Sequence, residues 1–265
     1  MASQFDSVIA DIISDAPSGE ITEIYEDLIK IVGESAKESI LEAIEQYNIR
    51  NCIPIEVEGK QIIISEYNKD GVKFIDPITA ISFSVDHLNR TGFDIGSSDI
   101  SLSSVQEEIV KNLNEYTASD FSGEVTFGVY PIPNEEDKTS IIISSTKYNA
   151  SNFWNGEWKS KYIFDSSSNS LEGEIDVDVH FYEDGNVSFK SNKKINLSSV
   201  NDAVSALKEV EVEFEKELDS SFSDLNEKQF KSLRRKLPIT RSKVNWGKAI
   251  GNYRLGKDAA QGITN

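Results

Sequence analysis

Cysteine, histidine and methionine are nearly absent from this 265-residue chain, which carries one Cys, two His and one Met. A single cysteine, Cys52, excludes an internal disulfide and fits a reducing compartment. Two histidines, His87 and His180, leave little material for a histidine-dependent catalytic site or a histidine-rich metal centre. No apolar run approaches the length needed to cross a bilayer, and the polar start Met1 to Asp6 lacks the shape of a secretory signal. Phosphate-cradling Gly–Lys–Ser/Thr loops and the Gly-x-Ser-x-Gly nucleophile turn are missing as well. Together these gaps argue against an enzyme and leave the chain without an evident cofactor.

Basic residues are also scarce, 27 against 45 acidic, for a formal net charge of -18. The acidic balance argues against general nucleic-acid binding by the body of the protein. The few cations are segregated. Ten of them fall between Lys228 and Lys257 with no acidic residue among them, which leaves 17 basic and 45 acidic residues elsewhere, a balance of -28. A cationic segment on an acidic chain is a footprint for an acidic partner.

The helical geometry of that segment separates charge from apolar surface. Asp224 and Glu227 read as the N-terminal cap of a helix on which Lys228, Lys231 and Arg235 share one face, opposite Phe230, Leu233 and Leu237. Pro238 interrupts it. From Thr240 to Gly256 a second segment carries the stripe Trp246, Ala249, Ile250 and Tyr253, with Arg241 and Lys248 lying across from it. Gly247 and Gly251 each cost such a helix roughly 1 kcal/mol relative to Ala. The segment is therefore expected to order fully only against a groove on a partner. A solvated basic face over an ordinary core stripe is the plainer reading; the charge segregation favours the partner.

Upstream, the pattern describes a folded α+β body. Residues 5–50 predict three short amphipathic helices, with stripes Phe5, Val8, Ile9, Ile12 and Ile13, then Ile21, Ile24, Tyr25, Leu28, Ile31 and Val32, then Ile40, Leu41, Ile44 and Tyr47. Ser35 and Glu38 read as a capping box for the third. Strands are predicted over 53–57, 61–65, 72–75 and 80–85, followed by a polar, glycine-containing connection over 89–101. A second capping box, Ser104 with Glu107, opens a helix through Ile109, Leu113 and Tyr116.

Residues 124–195 predict consecutive antiparallel strands. Ile141, Ile142 and Ile143 are apolar on both faces, as an interior strand requires. In Glu174 to Tyr182 the alternation is clean, Ile175, Val177, Val179 and Phe181 against Glu174, Asp176, Asp178 and His180, and Asp184–Gly185 is a hairpin signal. The carboxylates Asp176, Asp178, Glu183 and Asp184 read as a solvated or partner-facing surface in preference to a metal site. His180 reads as structural. Val200, Val204, Leu207, Phe214 and Leu218 mark a helix of about six turns, long enough to lie across a sheet. The expected division is 1–50 helical, 51–120 small mixed, 121–222 sheet plus long helix, and 223–265 extension.

Three separated motifs then carry a resemblance. Asn152–Phe–Trp–Asn–Gly–Glu–Trp–Lys–Ser160, Val179–His–Phe–Tyr–Glu–Asp–Gly–Asn–Val187 and Leu233–Arg–Arg–Lys–Leu–Pro–Ile–Thr–Arg241 resemble the alpha subunits of F-actin capping protein. Pro17–Ser–Gly–Glu20, Asp86–His–Leu88, Trp246, Tyr253 and Gly256 extend the likeness along the chain. In the motif at 152–160, Trp154 and Trp158 are expected as core anchors, and Asn155–Gly156 suits a turn.

The resemblance implies a non-enzymatic heterodimer with a beta subunit. The two chains would share one antiparallel sheet, five strands from each, with a long helix laid across it. It implies binding to the barbed end of actin filaments, independent of calcium, in cytoplasmic and cortical actin structures. The actin-binding residues it implies are Lys231, Arg235 and Arg241, to which the residue pattern adds Lys243, Trp246, Ile250 and Tyr253. Acidic phosphoinositides and capping-protein regulators are implied as further partners. A membrane-surface module using the same basic arm is the rival reading. Glu157 departs from the family, many of whose members carry a basic residue there.

Overall fold

In the computed structural model the described residues are 4–17, 19–121, 124–149, 154–181 and 187–224. Three helices open the chain, α1 (Gln4–Ser14), α2 (Ile21–Val32) and α3 (Lys37–Arg50). Their apolar spacing decides the packing: Ile9 and Ile13 of α1 and Leu28 of α2 are buried in one cluster with Ile40, Ile44 and Tyr47 of α3. Gly33 ends α2 at φ 85, a conformation open to glycine at little cost. A single 3-10 turn, Glu34–Ala36, follows. The capping box expected at Ser35 does not form, because this turn takes up the position and the residue capping α3 is Ala36, without a side-chain bond.

Six short strands make a first sheet: β1 (Pro54–Val57), β2 (Lys60–Ile63), β3 (Lys69–Asp70), β4 (Lys73–Asp76), β5 (Ile81–Asp86) and β6 (Thr91–Ser97), in the order β2-β1-β6-β5-β4-β3. Ile53, Ile55, Val57, Phe74 and Phe83 join the core of the three helices. Strand β6 corrects the expected connection over 89–101. Its glycines read as loop residues, yet a Cβ at Gly92 would lie 2.7 Å from Val57 Cγ2. Glycine there permits close approach of β6 to β1, a role that looks like a turn in sequence.

Helix α4 (Ser104–Asp120) starts one residue earlier than its expected box. Ser103 Oγ accepts from Gln106 N, and Ser103 N donates to Gln106 Oε1 at 2.9 Å. Five long strands follow, β7 (Glu124–Ile132), β8 (Glu135–Asn149), β9 (Trp154–Asp165), β10 (Ser170–Phe181) and β11 (Val187–Ser198). They form an antiparallel meander ordered β11-β10-β9-β8-β7. Asn155 and Gly156 lie inside β9, opposite His180 and Val179, and not in a turn. The Asp184–Gly185 hairpin signal falls outside the described residues; the strands on either side of it pair from Phe181↔Val187 onward. Trp154 is likewise undescribed at the side chain, while Trp158 is half-buried against the core and 5.8 Å from Phe214.

Helix α5 (Ala203–Asp224), 22 residues, lies on the same sheet face as α4. Asp202 Oδ1 accepts from Val204 N at 3.1 Å and caps it. The helix runs through Asp224, so that residue lies within α5 and is not the cap that opens a new helix. Beneath it Ile141, Ile143, Tyr162, Ile175 and Val177 form the second core with Leu113, Leu207, Phe214 and Leu218. Ile142 faces the other way, into a small cluster with Cys52, Ile63 and Tyr130. The triple-isoleucine run thus feeds two cores from one interior strand, as its pattern requires.

Candidate functional site

Strand periodicity gives the long sheet two unlike faces. Towards α5 it presents Trp158, Ser160 and Tyr162 on β9 and Ile175, Val177 and Val179 on β10. The opposite face presents rows of charge: Glu157 opposite Asp178, Lys159 opposite Asp176, Lys161 opposite Glu174. Lys190 continues the first row at 3.1 Å from Asp178, and Asn192 the second, donating to Asp176 at 2.7 Å. Asp176 and Asp178 of β10 are therefore engaged by side chains of β11. Among the described residues no cluster of His, Cys, Asp and Glu is arranged to hold a metal ion.

This charged face meets the ends of α1 and α3 across a cleft of 420 Å³ lined by Ser14, Arg50, Lys159, Lys161 and Asp176 among others. Cations hold the helix C-termini, where carbonyls lack intrahelical donors. Arg50 donates to Ser14 O and Oγ, Lys161 to Arg50 O at 2.7 Å, and Lys159, 8% exposed, to Asn51 Oδ1 at 3.0 Å. Glu20 closes the junction. Its Oε1 lies 2.9 Å from His180 Nδ1 and accepts from Asn155 Nδ2 at 2.9 Å. Three stretches quoted in the family resemblance thus converge on one carboxylate, and His180 holds two parts of the fold together. Sequence reading singled out Glu20 only as part of a motif, since its partners lie 135 and 160 residues away.

A second carboxylate is buried under α5. Glu211, 3% exposed, accepts from Ser160 Oγ at 2.6 Å, Tyr162 OH at 2.9 Å and Tyr116 OH at 2.6 Å. Burial pushes its carboxyl above the ordinary value, and the three hydroxyls pull it back. Burial, and then the neighbouring carboxylate, push both phenols up in turn. The signal was present in the chain as a gap: residues 200, 204, 207, 214 and 218 repeat every three or four, and 211 completes the series as a glutamate. Cys52, 2% exposed, has its thiol pushed up by burial, which removes it as a reactive nucleophile.

The seven residues expected to bind actin, Lys231, Arg235, Arg241, Lys243, Trp246, Ile250 and Tyr253, lie outside the described residues. The described residues run through Asp224 of α5, seven positions before Lys231. No described helix is long and apolar enough to cross a membrane. The described residues of α1 leave an apolar stripe outside the core, with Phe5, Val8 and Ile12 at 48%, 52% and 45% exposure. Strand β11 pairs with β10 on one side only among the described residues.

Comparison with known proteins places this architecture. Residues 9–258 match the family model described as F-actin capping protein alpha subunit. The F-actin-capping protein subunit alpha of Candida glabrata is 55% identical over 262 residues, covering 99% of this chain and 100% of that protein. Its counterpart from Saccharomyces cerevisiae is 55% identical over 265 residues, with 98% and 99% covered. Among solved structures, the homodimeric actin capping protein alpha subunit from Plasmodium berghei superposes with a TM-score of 0.73 at 22% identity, over 90% of this chain and 99% of that one, a likeness of fold. These relatives are capping proteins and not enzymes. Matched from end to end by sequence and through its body by fold, this chain belongs to the family of F-actin capping protein alpha subunits.

Proposed function

We propose that this chain is one half of a heterodimeric, calcium-independent cap that binds the barbed ends of actin filaments and blocks subunit addition and loss. The observation that carries the reading is the family match over residues 9–258. The body is the platform and residues 223–265 are the actin-binding extension. Lys231, Arg235, Arg241 and Lys243 meet the acidic filament surface and speed encounter; Trp246, Ile250 and Tyr253 then dock in an apolar groove and slow departure.

The beta subunit is the second half. Two features support a partner of that kind: the twelve-residue strand β11 has a free edge among the described residues, and α1 exposes Phe5, Val8 and Ile12. A long unpaired edge beside an apolar helix stripe is a liability in an isolated chain and is relieved by strand pairing and helix packing. The alpha chain made alone should therefore aggregate. Acidic phosphoinositides compete for the same basic residues, since a multivalent anionic headgroup suits a cationic cluster, and the assembly works at cortical actin structures.

The test is elongation from seeded filaments with the co-expressed heterodimer, with and without residues 239–265. The intact complex should stop barbed-end growth at substoichiometric concentration, and the truncated one should need far more. Reversal of Lys231, Arg235 and Arg241 to Glu should weaken capping strongly; a triple variant that caps like the parent removes these residues from the interface. Sedimentation with phosphoinositide vesicles in the absence of any capping would favour the membrane-surface reading instead.

A further inference from the structure

The inner stripe of α5 reads 204, 207, 211, 214, 218, with Val200 just ahead of the helix in the same series, an alternation of four and three that repeats every seven residues. Five of the six are apolar, Val200, Val204, Leu207, Phe214 and Leu218, and all are buried. A stripe of this kind does not fix its own register, because sliding the helix by one turn or one heptad still lays apolar residues on the sheet. The sixth position breaks the degeneracy. Glu211 is equally buried and receives hydroxyls from two other elements, Tyr116 of α4 and Ser160 and Tyr162 of β9. A slip of about 5.4 Å, one helical turn, would offer Leu207 or Glu215 to those three hydroxyls in place of Glu211. With Leu207 there, all three donors lose their acceptor.

Stability does not explain a glutamate at this place. Its partners among the described residues are neutral hydroxyls, without a compensating cation, and apolar side chains in place of the whole network would complete the stripe at lower desolvation cost. A buried polar group at one position of an apolar repeat does have a well-attested use, the selection of a single register. α5 is also the last described element before residues 225–265, and it is helical through Asp224. We propose that Glu211 is a positioning residue for filament capping, a pin that sets the slide and rotation of α5 and so the position of Asp224, from which the chain continues towards the residues assigned to actin binding. This rests on the actin-capping reading above.

The test uses the co-expressed heterodimer carrying Glu211→Leu, Glu211→Gln or the pair Tyr116→Phe and Tyr162→Phe. Glu211→Leu leaves three buried hydroxyls without their acceptor and should lower the unfolding temperature, and the concentration for half-maximal inhibition of elongation should rise about tenfold, as expected when a site is offset from its support. Glu211→Gln, which keeps an acceptor, should restore most of the capping, and the double phenylalanine variant should weaken it as Leu does. A distance distribution between labels on Ser168, in the β9–β10 turn, and Ser221, on the last turn of α5, reads the register without actin. It should shift or broaden in Glu211→Leu and not in Glu211→Gln. The pin is refuted if the Leu and double phenylalanine variants cap like the parent with unchanged distances, or if capping is lost while the label distances stay those of the parent. Should Glu211→Leu not fold, the double variant decides by the same two readouts. A parent complex that does not cap defeats the functional reading instead, and the label distances still judge the pin.

Discussion

Replacing Glu20 with alanine should loosen the grip of the helical N-terminal part on the long sheet. The glutamate accepts from Asn155 Nδ2 and meets His180 Nδ1, both at 2.9 Å, across sequence separations of 135 and 160 residues. Hydrogen bonds to a charged acceptor contribute roughly 1.5–3 kcal/mol each in buried settings. Here the side chain of Glu20 is 31% exposed and that of His180 11%, so the lower end applies. Asn155 is 8% exposed, and its amide is left without this acceptor in a place water reaches poorly. The expected loss is about 2–4 kcal/mol.

Urea unfolding of the co-expressed heterodimer at one fixed protein concentration measures that loss, since association contributes to apparent stability. Hydrogen exchange locates it: amides of α1 and α3 should exchange faster than those of β8 and β9. Glu20→Gln keeps one acceptor oxygen and should recover part of the difference. In a cycle with Asn155→Ala the two changes should couple by about 1 kcal/mol or more. A change below about 0.5 kcal/mol for Glu20→Ala, the range of ordinary surface substitutions, would refute the reasoning.

Other outcomes follow from single residues. Burial raises the Glu211 carboxyl above its unfolded value, so the native state holds that proton more tightly than the unfolded chain does. Its contribution is present below the ordinary glutamate value of about 4.3 and is lost as pH rises through the raised native value. Glu211→Gln should therefore gain stability relative to the parent as pH rises, measured by unfolding free energies across that window; a parallel pair of curves would contradict it. A Cβ at Gly173 would lie 2.2 Å from Lys161 O, a backbone atom that cannot turn aside, so Gly173→Ala should cost about 1–3 kcal/mol in thermal or chemical unfolding. Leu207, fully buried under α5, should cost about 2–5 kcal/mol when cut to alanine, by the same measurement.

What the chain determines by itself is whatever depends on neighbours within a few turns. Stripes at 9/13, 21/28 and 40/44/47 fix three helices and the faces they bury, and alternation from Ile175 to Val179 fixes which side of β10 is wet. The run Ile141–Ile143 announces an interior strand in the same way. The motifs around 152–160, 179–187 and 233–241 make the family legible without coordinates, and the segregation of ten cations between Lys228 and Lys257 is visible in the same way. Local patterns suffice here because periodicity and charge act over distances the chain itself sets.

Tertiary structure decided everything that needed a partner far along the chain. Gly92 and Gly96 look like turn residues until Val57 comes within contact of the first, and Asn155–Gly156 looks like a turn until β10 pairs with it. Glu211 is only a polar break in an apolar series until α4 and β9 deliver three hydroxyls to it, and Glu20 only one member of a motif until the sheet brings His180 and Asn155. A buried carboxylate is tolerable only where donors converge on it, and convergence is a property of packed elements that residue order alone does not specify.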